Sequence, residues 1–113
     1  MPIKVVSFSY KNRPQRLDQS DVLEIDCRGM ANPHNVHELR PLTGEDEAVQ
    51  QWILTHDLVS SRLQYATRAL DQGFKTIAFG CIGGRHRSVA LAELLAVELR
   101  AKGHSVELEH LAL

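Results

Sequence analysis

One stretch of the sequence combines the residue types that bind phosphate, and it runs Cys81-Ile82-Gly83-Gly84-Arg85-His86-Arg87-Ser88. An apolar run typical of a buried strand precedes it, and an unbroken run of helix-forming residues follows it. A strand that leads through a glycine-rich turn into a helix directs backbone N–H groups and the positive end of the helix dipole at one point. The two glycines are predicted to allow positive φ, and the two arginines add positive charge. The stretch therefore predicts a phosphate-binding loop.

The same stretch has the spacing C-x5-R-S of cysteine-dependent phosphatases. In those enzymes a thiolate attacks phosphorus inside a cradle of amides, so Cys81 would be the nucleophile and Arg87 would hold the phosphate. A thiol near a helix N-terminus and beside cationic side chains is readily ionised. Alternatively, Cys81 ends a buried strand as a small apolar residue. Phosphatase chemistry is therefore one hypothesis among others.

Residues 28–46 form a second informative stretch. They have little hydrophobic periodicity and contain two prolines and two glycines, so a long irregular connection is predicted. Long loops inside compact domains are often functional. Candidate ligand-binding residues in this stretch and just before it are Asp26, Arg28, Asn32, His34 and Arg40. These side chains either read a ligand or hydrogen-bond the loop into place.

The polar side chains of this stretch also raise the question of metal binding and acid catalysis. His34 and His37 have H-x-x-H spacing and would bind a metal ion together with Cys81 or His86. The usual compact spacing of zinc ligands is absent from the sequence, so neither a metal site nor a cofactor is predicted. The general-acid candidates for chemistry at the site are Asp26, His34 and Asp46.

Predicted strands and helices alternate along the chain. Strands are predicted over residues 3–9, 22–27, 75–80 and 104–113, and helices over 45–54, 55–72 and 88–101. This order predicts an α/β fold, with a small, mostly parallel four-stranded sheet flanked by helices and the last strand at an edge. Ligands of such sheets bind outside the carboxyl ends of the strands. The loops after the first three strands are thus predicted to converge on one site.

Length and composition are those of an ordinary globular protein. The 113 residues, 43% of them hydrophobic, predict one domain over residues 1–113. No run reaches the length of a membrane span and no secretory signal is recognised, so a cytoplasmic protein that binds no membrane is expected. The formal net charge is −1, and nucleic-acid binding would need a local patch such as Lys11, Arg13 and Arg16. The last helix is apolar nearly all round, which indicates a core helix or a subunit interface.

Five motifs stand in order along essentially the whole chain. They are Ser7-Phe8-Ser9-Tyr10-Lys11, Asp26-Cys27-Arg28, Asn32-Pro33-His34, Leu39-Arg40-Pro41-Leu42-Thr43-Gly44 and Gly80-Cys81-Ile82-Gly83-Gly84-Arg85-His86-Arg87-Ser88-Val89. Together they resemble the C-terminal domain of the RapZ family of bacterial RNase-adapter and nucleotide-binding proteins. The resemblance implies a domain that senses glucosamine-6-phosphate, binds small regulatory RNA and self-associates as a homo-oligomer. It also implies that residues 81–88 receive phosphate or a similar anion without phosphatase turnover.

Three departures from the family pattern modify these expectations. Full-length members carry an N-terminal domain with a Walker A loop, but this chain has no G-x-x-x-x-G-K-[ST] motif. It is therefore expected to act without binding ATP or GTP, and a separate nucleotide-binding protein becomes a candidate partner. Ile82 stands where the family commonly has threonine, so a hydroxyl donor to the ligand is lost. The chain also ends without a basic tail, which weakens RNA binding.

Three functions follow, in order of preference: a sensor of a phosphorylated metabolite, an RNA-binding module and a cysteine-dependent phosphatase. In the sensor, residues 81–88 hold the phosphate while Asp26, His34 and Arg40 read the rest of the ligand. Arg87→Ala is then expected to weaken anion binding without unfolding the domain.

Overall fold

The computed structural model of the protein describes residues 2–113. Within them, the strands are β1 (Ile3–Ser9), β2 (Val22–Asp26), β3 (Thr76–Cys81) and β4 (Val106–His110). The helices are α1 (Glu47–Leu54), α2 (Asp57–Asp71) and α3 (Arg87–Ala101). Three short 3-10 turns lie in the connections, at Tyr10–Asn12, Gln15–Leu17 and Pro33–Asn35.

The four strands form one sheet in the order β2-β3-β1-β4, and every pair is parallel. The predicted α/β fold is therefore confirmed, with β4 at an edge as expected. The step from β1 to β2 runs along the sheet in the direction opposite to the two later steps. Since parallel crossovers share one hand, the first connection belongs on one face of the sheet and the other two on the opposite face.

Side chains alternate across the sheet, and this alternation divides the core into two layers. Val5 and Phe79 point to the face on which the three helices pack. Phe8 and Ala78 point to the other face, where Leu17 of the first connection covers them. The helices therefore lie on one face only, and a connection with 3-10 turns takes the place of a helix on the other.

Helix α3 is the central helix of the fold. Nine of its fifteen residues are buried, because it packs against β1, β3 and β4 as well as against the other two helices. The prediction of a core helix is therefore confirmed, although Val97 on its outer side is 64% exposed. No helix in the described part of the chain, α3 included, has the length and apolar character needed to cross a membrane.

The helix starts differ from the prediction because of local turn chemistry. Helix α1 begins at Glu47 rather than at residue 45, since residues 43–46 form a hydrogen-bonded turn. Thr55 was expected to start the second helix, but its hydroxyl donates back to the Trp52 carbonyl at 2.6 Å and closes α1. Helix α2 ends at Asp71, one residue before the predicted end, and Gly73 follows the C-cap with a φ of +106°, as expected.

Candidate functional site

A cleft of about 350 Å³ opens at the carboxyl ends of β1 and β3. β1 and β3 are neighbours in the sheet, and the chain after β1 crosses one face while the chain after β3 crosses the other. In parallel α/β sheets this arrangement creates a ligand-binding crevice. The loop of residues 28–46 also reaches this cleft, as the sequence predicts. The lining residues are Lys11, Asn32, His34, Arg40, Cys81, Ile82, Gly83, Arg85, His86 and Arg87.

Gly84 determines the shape of the turn between β3 and α3. Its φ is +68°, and a Cβ there would lie 2.6 Å from the Cβ of Ala112 and 3.0 Å from that of Ser9. Gly83 has open space around it and no positive φ, so the predicted positive φ is confirmed at Gly84 and wrong at Gly83. The Ser9 hydroxyl donates to the Ile82 carbonyl and ties the turn to the end of β1.

Backbone donors are available where this turn enters α3. His86 precedes the helix without a side-chain capping bond, and the N–H of Ala90 donates to the His86 carbonyl at 2.9 Å. Within residues 2–113, the N–H groups of residues 83–86 donate no hydrogen bond to another backbone group. The positive end of a fifteen-residue helix therefore lies beside free N–H donors, and this combination favours anion binding.

Arg87 fastens the loop of residues 28–46 to α3. The residue is only 7% exposed, and its Nη1 donates to the carbonyl oxygens of Arg28 at 2.8 Å and Met30 at 3.3 Å. The same side chain lines the cleft. It therefore places positive charge beside a ligand while it holds the loop.

Cys81 is the last residue of β3, one residue beyond the predicted end of that strand, and it is buried. Its Sγ lies 3.1 Å from the hydroxyl of Ser88 in the first turn of α3. This contact joins strand and helix across the turn and agrees with the structural interpretation of Cys81. The second cysteine, Cys27, is also buried, and burial raises its pKa to about 12.

Asp26 and Arg28 pair with each other beside the cleft. The Arg28 guanidinium donates to both carboxylate oxygens of Asp26 at 2.8 to 3.1 Å and lies 3.8 Å from the centre of the Tyr10 ring. The hydrogen bonds from Arg28 hold the pKa of Asp26 below its usual range, so this carboxyl group is ionised at neutral pH. Asp26 is therefore unsuited to the general-acid role that the sequence suggested.

Asn32, His34 and Arg40 all line the cleft. The Asn32 side chain accepts from the His34 N–H at 3.1 Å, and Arg40 Nε donates to the His34 carbonyl at 2.9 Å. The ring of His34 lies 6.2 Å from that of His86, centre to centre. His86 Nε2 donates to the Leu39 carbonyl at 3.2 Å, and burial lowers the pKa of His86, so this ring is neutral at pH 7.

The other polar candidates of the loop do not reach the cleft. His37 is exposed, and Asp46 accepts a hydrogen bond from the Thr43 N–H at 2.8 Å. Among the described residues, no metal-ligand set combines His34 and His37 with Cys81 or His86. The three side chains of residues 2–113 whose ligand atoms meet within 4.8 Å are Glu45, Glu93 and His110.

The arginines after β1, which nucleic-acid binding would need, are paired with acidic partners. Arg13 donates to Glu24 and Asp18, and Arg16 lies 3.4 Å from a carboxylate of β4. Arg16 also lines a different cleft, of about 340 Å³, on the face of the sheet away from the helices. Lys11 is the member of the candidate basic patch that reaches the site at β1 and β3.

Comparison with known proteins identifies the family of this chain. A family model described as the RapZ C-terminal domain matches residues 1–113. The chain belongs to this family. The resemblance inferred from the five motifs is thereby confirmed.

Relatives of this RapZ C-terminal domain carry the name nucleotide-binding protein. One from Paramagnetospirillum magneticum is 43% identical, with 94% of this chain and 37% of the relative covered. One from Thermobifida fusca is also 43% identical, with 94% and 38% covered. One from Alcanivorax borkumensis is 34% identical, with 97% and 42% covered. The chain thus spans about two fifths of the length of these curated relatives.

Lys11 is the lining residue of this RapZ C-terminal domain that sequence reasoning assigned to a nucleic-acid patch instead of the ligand site. It stands two residues after β1, so the rule that ligands bind at carboxyl ends was the signal that could have found it. Conversely, four residues predicted to bind the ligand do not line the cleft. They are Asp26, Arg28, Gly84 and Ser88.

Proposed function

We propose that this RapZ C-terminal domain binds a phosphorylated small molecule, an amino-sugar phosphate such as glucosamine-6-phosphate, in the cleft at β1 and β3. The observation that carries the proposal is the meeting of four cations with the start of α3 and with the free N–H groups of Gly83, Arg85 and His86, which line the same cleft. The cations are Lys11, Arg40, Arg85 and Arg87. Each of these groups favours a phosphate dianion, and together they give it several donors in one place.

The rest of the lining suits a sugar attached to that phosphate. Asn32 and His34 offer polar groups, whereas Ile82, at 44% exposed, offers an apolar contact. The volume of about 350 Å³ falls inside the range of about 300 to 1,000 Å³ that is usual for small-molecule sites. Because Ile82 replaces a threonine that is common in the family, we expect selectivity among sugar phosphates to rest on the loop of residues 28–46.

Calorimetric titration of the whole chain with glucosamine-6-phosphate, inorganic phosphate and glucosamine tests this proposal. We expect the sugar phosphate to bind more tightly than either part. Arg85→Gln should weaken binding, because it removes an exposed cation of the cleft without breaking a hydrogen bond of the fold. Arg68→Gln is the matched control, since it removes the same charge from the exposed side of α2 outside the cleft.

The other outcomes separate the competing hypotheses. Equal, weak binding of every phosphate compound would mean that the cleft reads a generic anion, and no binding at all would overturn the proposal. Release of inorganic phosphate from the ligand, abolished by Cys81→Ser, would support the phosphatase instead. RNA binding with a steep salt dependence would support the nucleic-acid module.

The resemblance also supports a coupling of this cleft to partners. Family members named nucleotide-binding proteins extend well beyond the region matched by this chain, which is consistent with a nucleotide-binding partner region. We propose that ligand binding controls contact with such a partner, with small RNA or with further copies of this domain. Light scattering of the purified chain with and without glucosamine-6-phosphate measures the last of these, and an unchanged monomer mass would argue against self-association.

A further inference from the structure

We infer that Glu45, Glu93 and His110 form a binding site for a divalent transition-metal ion such as Zn²⁺, apart from the anion cleft. One ligand atom of each residue lies within 4.8 Å of the other two. They come from three different elements, namely the turn before α1, the middle of α3 and the end of β4. None of the three lines the cleft at β1 and β3. The convergence of distant residues distinguishes this set from acidic side chains that are merely adjacent in sequence.

The fold holds the His110 ring so that one nitrogen faces the carboxylates. His110 and Ser7 are register partners in β4 and β1, and Nδ1 lies 2.7 Å from the hydroxyl of the fully buried Ser7. The other nitrogen, Nε2, lies 2.7 Å from Glu93 Oε2. A histidine that binds a metal through one nitrogen is almost always oriented by a hydrogen bond at the other. Ser7 supplies that orienting bond here.

Glu45 is brought to this place by a close contact between the turn and α3. The N–H of the preceding Gly44 donates to the Arg85 carbonyl at 2.8 Å. A Cβ on Gly44 would lie 2.6 Å from the His86 carbonyl oxygen and 2.7 Å from the Val89 carbonyl carbon, so the turn rests directly on the helix backbone. The backbone of Glu45 is therefore held beside Glu93 by packing.

Among the described residues, the basic side chain that contacts these two carboxylates is His110, whose Nε2 lies 2.7 Å from Glu93 Oε2. Within residues 2–113, no lysine or arginine nitrogen lies within 4.0 Å of a carboxylate oxygen of Glu45 or Glu93. The side chains of Glu93 and His110 are only 24% and 10% exposed, so solvent screens this negative charge less than it would at an open surface. A divalent cation would offset the charge.

The donor set indicates the kind of cation. One imidazole and two carboxylates are ordinary Zn²⁺ ligands, and three protein ligands leave a fourth position for water or another ligand. Imidazole favours Zn²⁺ and its neighbours over Mg²⁺ and Ca²⁺, which take oxygen ligands. We therefore expect Zn²⁺ to bind and Mg²⁺ to bind far more weakly.

Calorimetric titration of the whole chain with ZnCl₂, in a buffer free of phosphate and chelators, tests the site. We expect one strong Zn²⁺ per chain. Glu45→Gln and Glu93→Gln should each weaken that binding at least tenfold. Glu107→Gln should leave it unchanged, because Glu107 is an exposed residue of β4 outside the set. Glu45 is exposed, so its substitution tests the site without disturbing the core.

Two results would overturn the inference. The first is an absence of strong Zn²⁺ binding by the parent chain. The second is binding that survives both glutamate substitutions, which would assign the metal to other histidines of the chain. Circular dichroism of each variant confirms that it is folded before the titrations are compared.

Discussion

Arg87 contributes positive charge to the cleft and also hydrogen-bonds the loop of residues 28–46. Loss of its side chain is therefore expected to affect the stability of the fold as well as anion binding. Arg87→Ala removes the donor of two carbonyl oxygens, those of Arg28 and Met30. Since a buried acceptor left without a donor costs about 1–3 kcal/mol, we expect the variant to be destabilised by that order. Urea denaturation measures the change. This expectation differs from the sequence-based one, in which Arg87→Ala spares the fold.

Arg85→Ala is the matched control for this prediction. Arg85 lies two residues earlier, lines the same cleft and is exposed. We expect its removal to change the free energy of unfolding by less than about 0.5 kcal/mol while it weakens anion binding. If both variants were equally stable, the bonds from Arg87 to the loop would contribute nothing to the fold.

Residue types were predictable from the sequence at the site, but the partners of those residues were not. The glycine-rich turn and its arginines were recognised because strand, turn and helix are contiguous in the chain. The carbonyl partners of Arg87 and the pairing of Arg28 with Asp26 depend on how the loop of residues 28–46 lies on α3. Arg87 and Arg28, whose charge the sequence motifs assign to ligand binding, therefore also form hydrogen bonds within the protein.

Among the structural elements, the loop of residues 28–46 is held against α3 by the close contact of Gly44 with the helix backbone. This loop forms one side of the cleft. We expect Gly44→Ala to push the turn off the helix and to cost about 1–3 kcal/mol, because the added Cβ meets backbone atoms that cannot move aside. Affinity for glucosamine-6-phosphate should fall as well, since Asn32, His34 and Arg40 lie on the same loop. Thermal unfolding and calorimetry measure the two effects.

Gly29→Ala provides the comparison within the same loop. A Cβ at Gly29 has nothing within 4 Å, and this residue has no positive φ. We expect the Gly29→Ala variant to have nearly the same stability and ligand affinity as the parent protein. A Gly44→Ala domain that behaved in the same way would show that the turn can move away from α3 without consequence.

The elements themselves were predictable wherever a long periodic pattern defines them. The apolar sequence of α3 indicated a core helix, and the structure buries most of it. The ends of the helices were less predictable, because a side chain between two helices can cap either the end of the first or the start of the second. Thr55 is a good residue to begin a helix, yet its hydroxyl caps the end of α1 instead.

At the scale of the whole molecule, stability is expected to depend on pH through the buried His86. Burial lowers its pKa in the folded chain below the value of about 6.5 typical of an unfolded chain. Below that pH the unfolded chain takes up a proton that the folded chain does not, so stability falls as the pH falls. The slope for one proton is at most about 1.4 kcal/mol per pH unit. Urea denaturation between pH 7.5 and 5.5 measures it.

His86→Gln should flatten this dependence, whereas His37→Gln, at an exposed position of the loop of residues 28–46, should leave it in place. The measurements are made with a chelator, so that metal binding at His110 does not contribute. Asp26 does not interfere, because its lowered pKa confines its contribution to more acidic solutions. An unchanged slope in the His86 variant would assign the acid sensitivity to another group.

The architecture was predictable because alternating strands and helices leave few arrangements, and the meeting of loops at one end of the sheet follows from parallel strands. Contacts between residues far apart in the chain were not predictable. Glu45, Glu93 and His110 share no spacing that a motif could reveal, and only the packing of Gly44 and the register of β4 bring them together.

The strand order has a consequence for the folding of the chain. β1 pairs with β3 and β4 but not with β2, so Lys4 lies opposite Thr76 and Ile3 lies opposite Val106. The chain between β1 and its two partner strands must lose conformational entropy before the strands gain the stabilisation of pairing. Folding is therefore expected to be slow for a chain of this size. Before β3 and β4 have paired with it, the apolar, β-branched strand β1 has unpaired edges that can hydrogen-bond to strands of other molecules. Recovery from denaturant should therefore decline as the protein concentration rises.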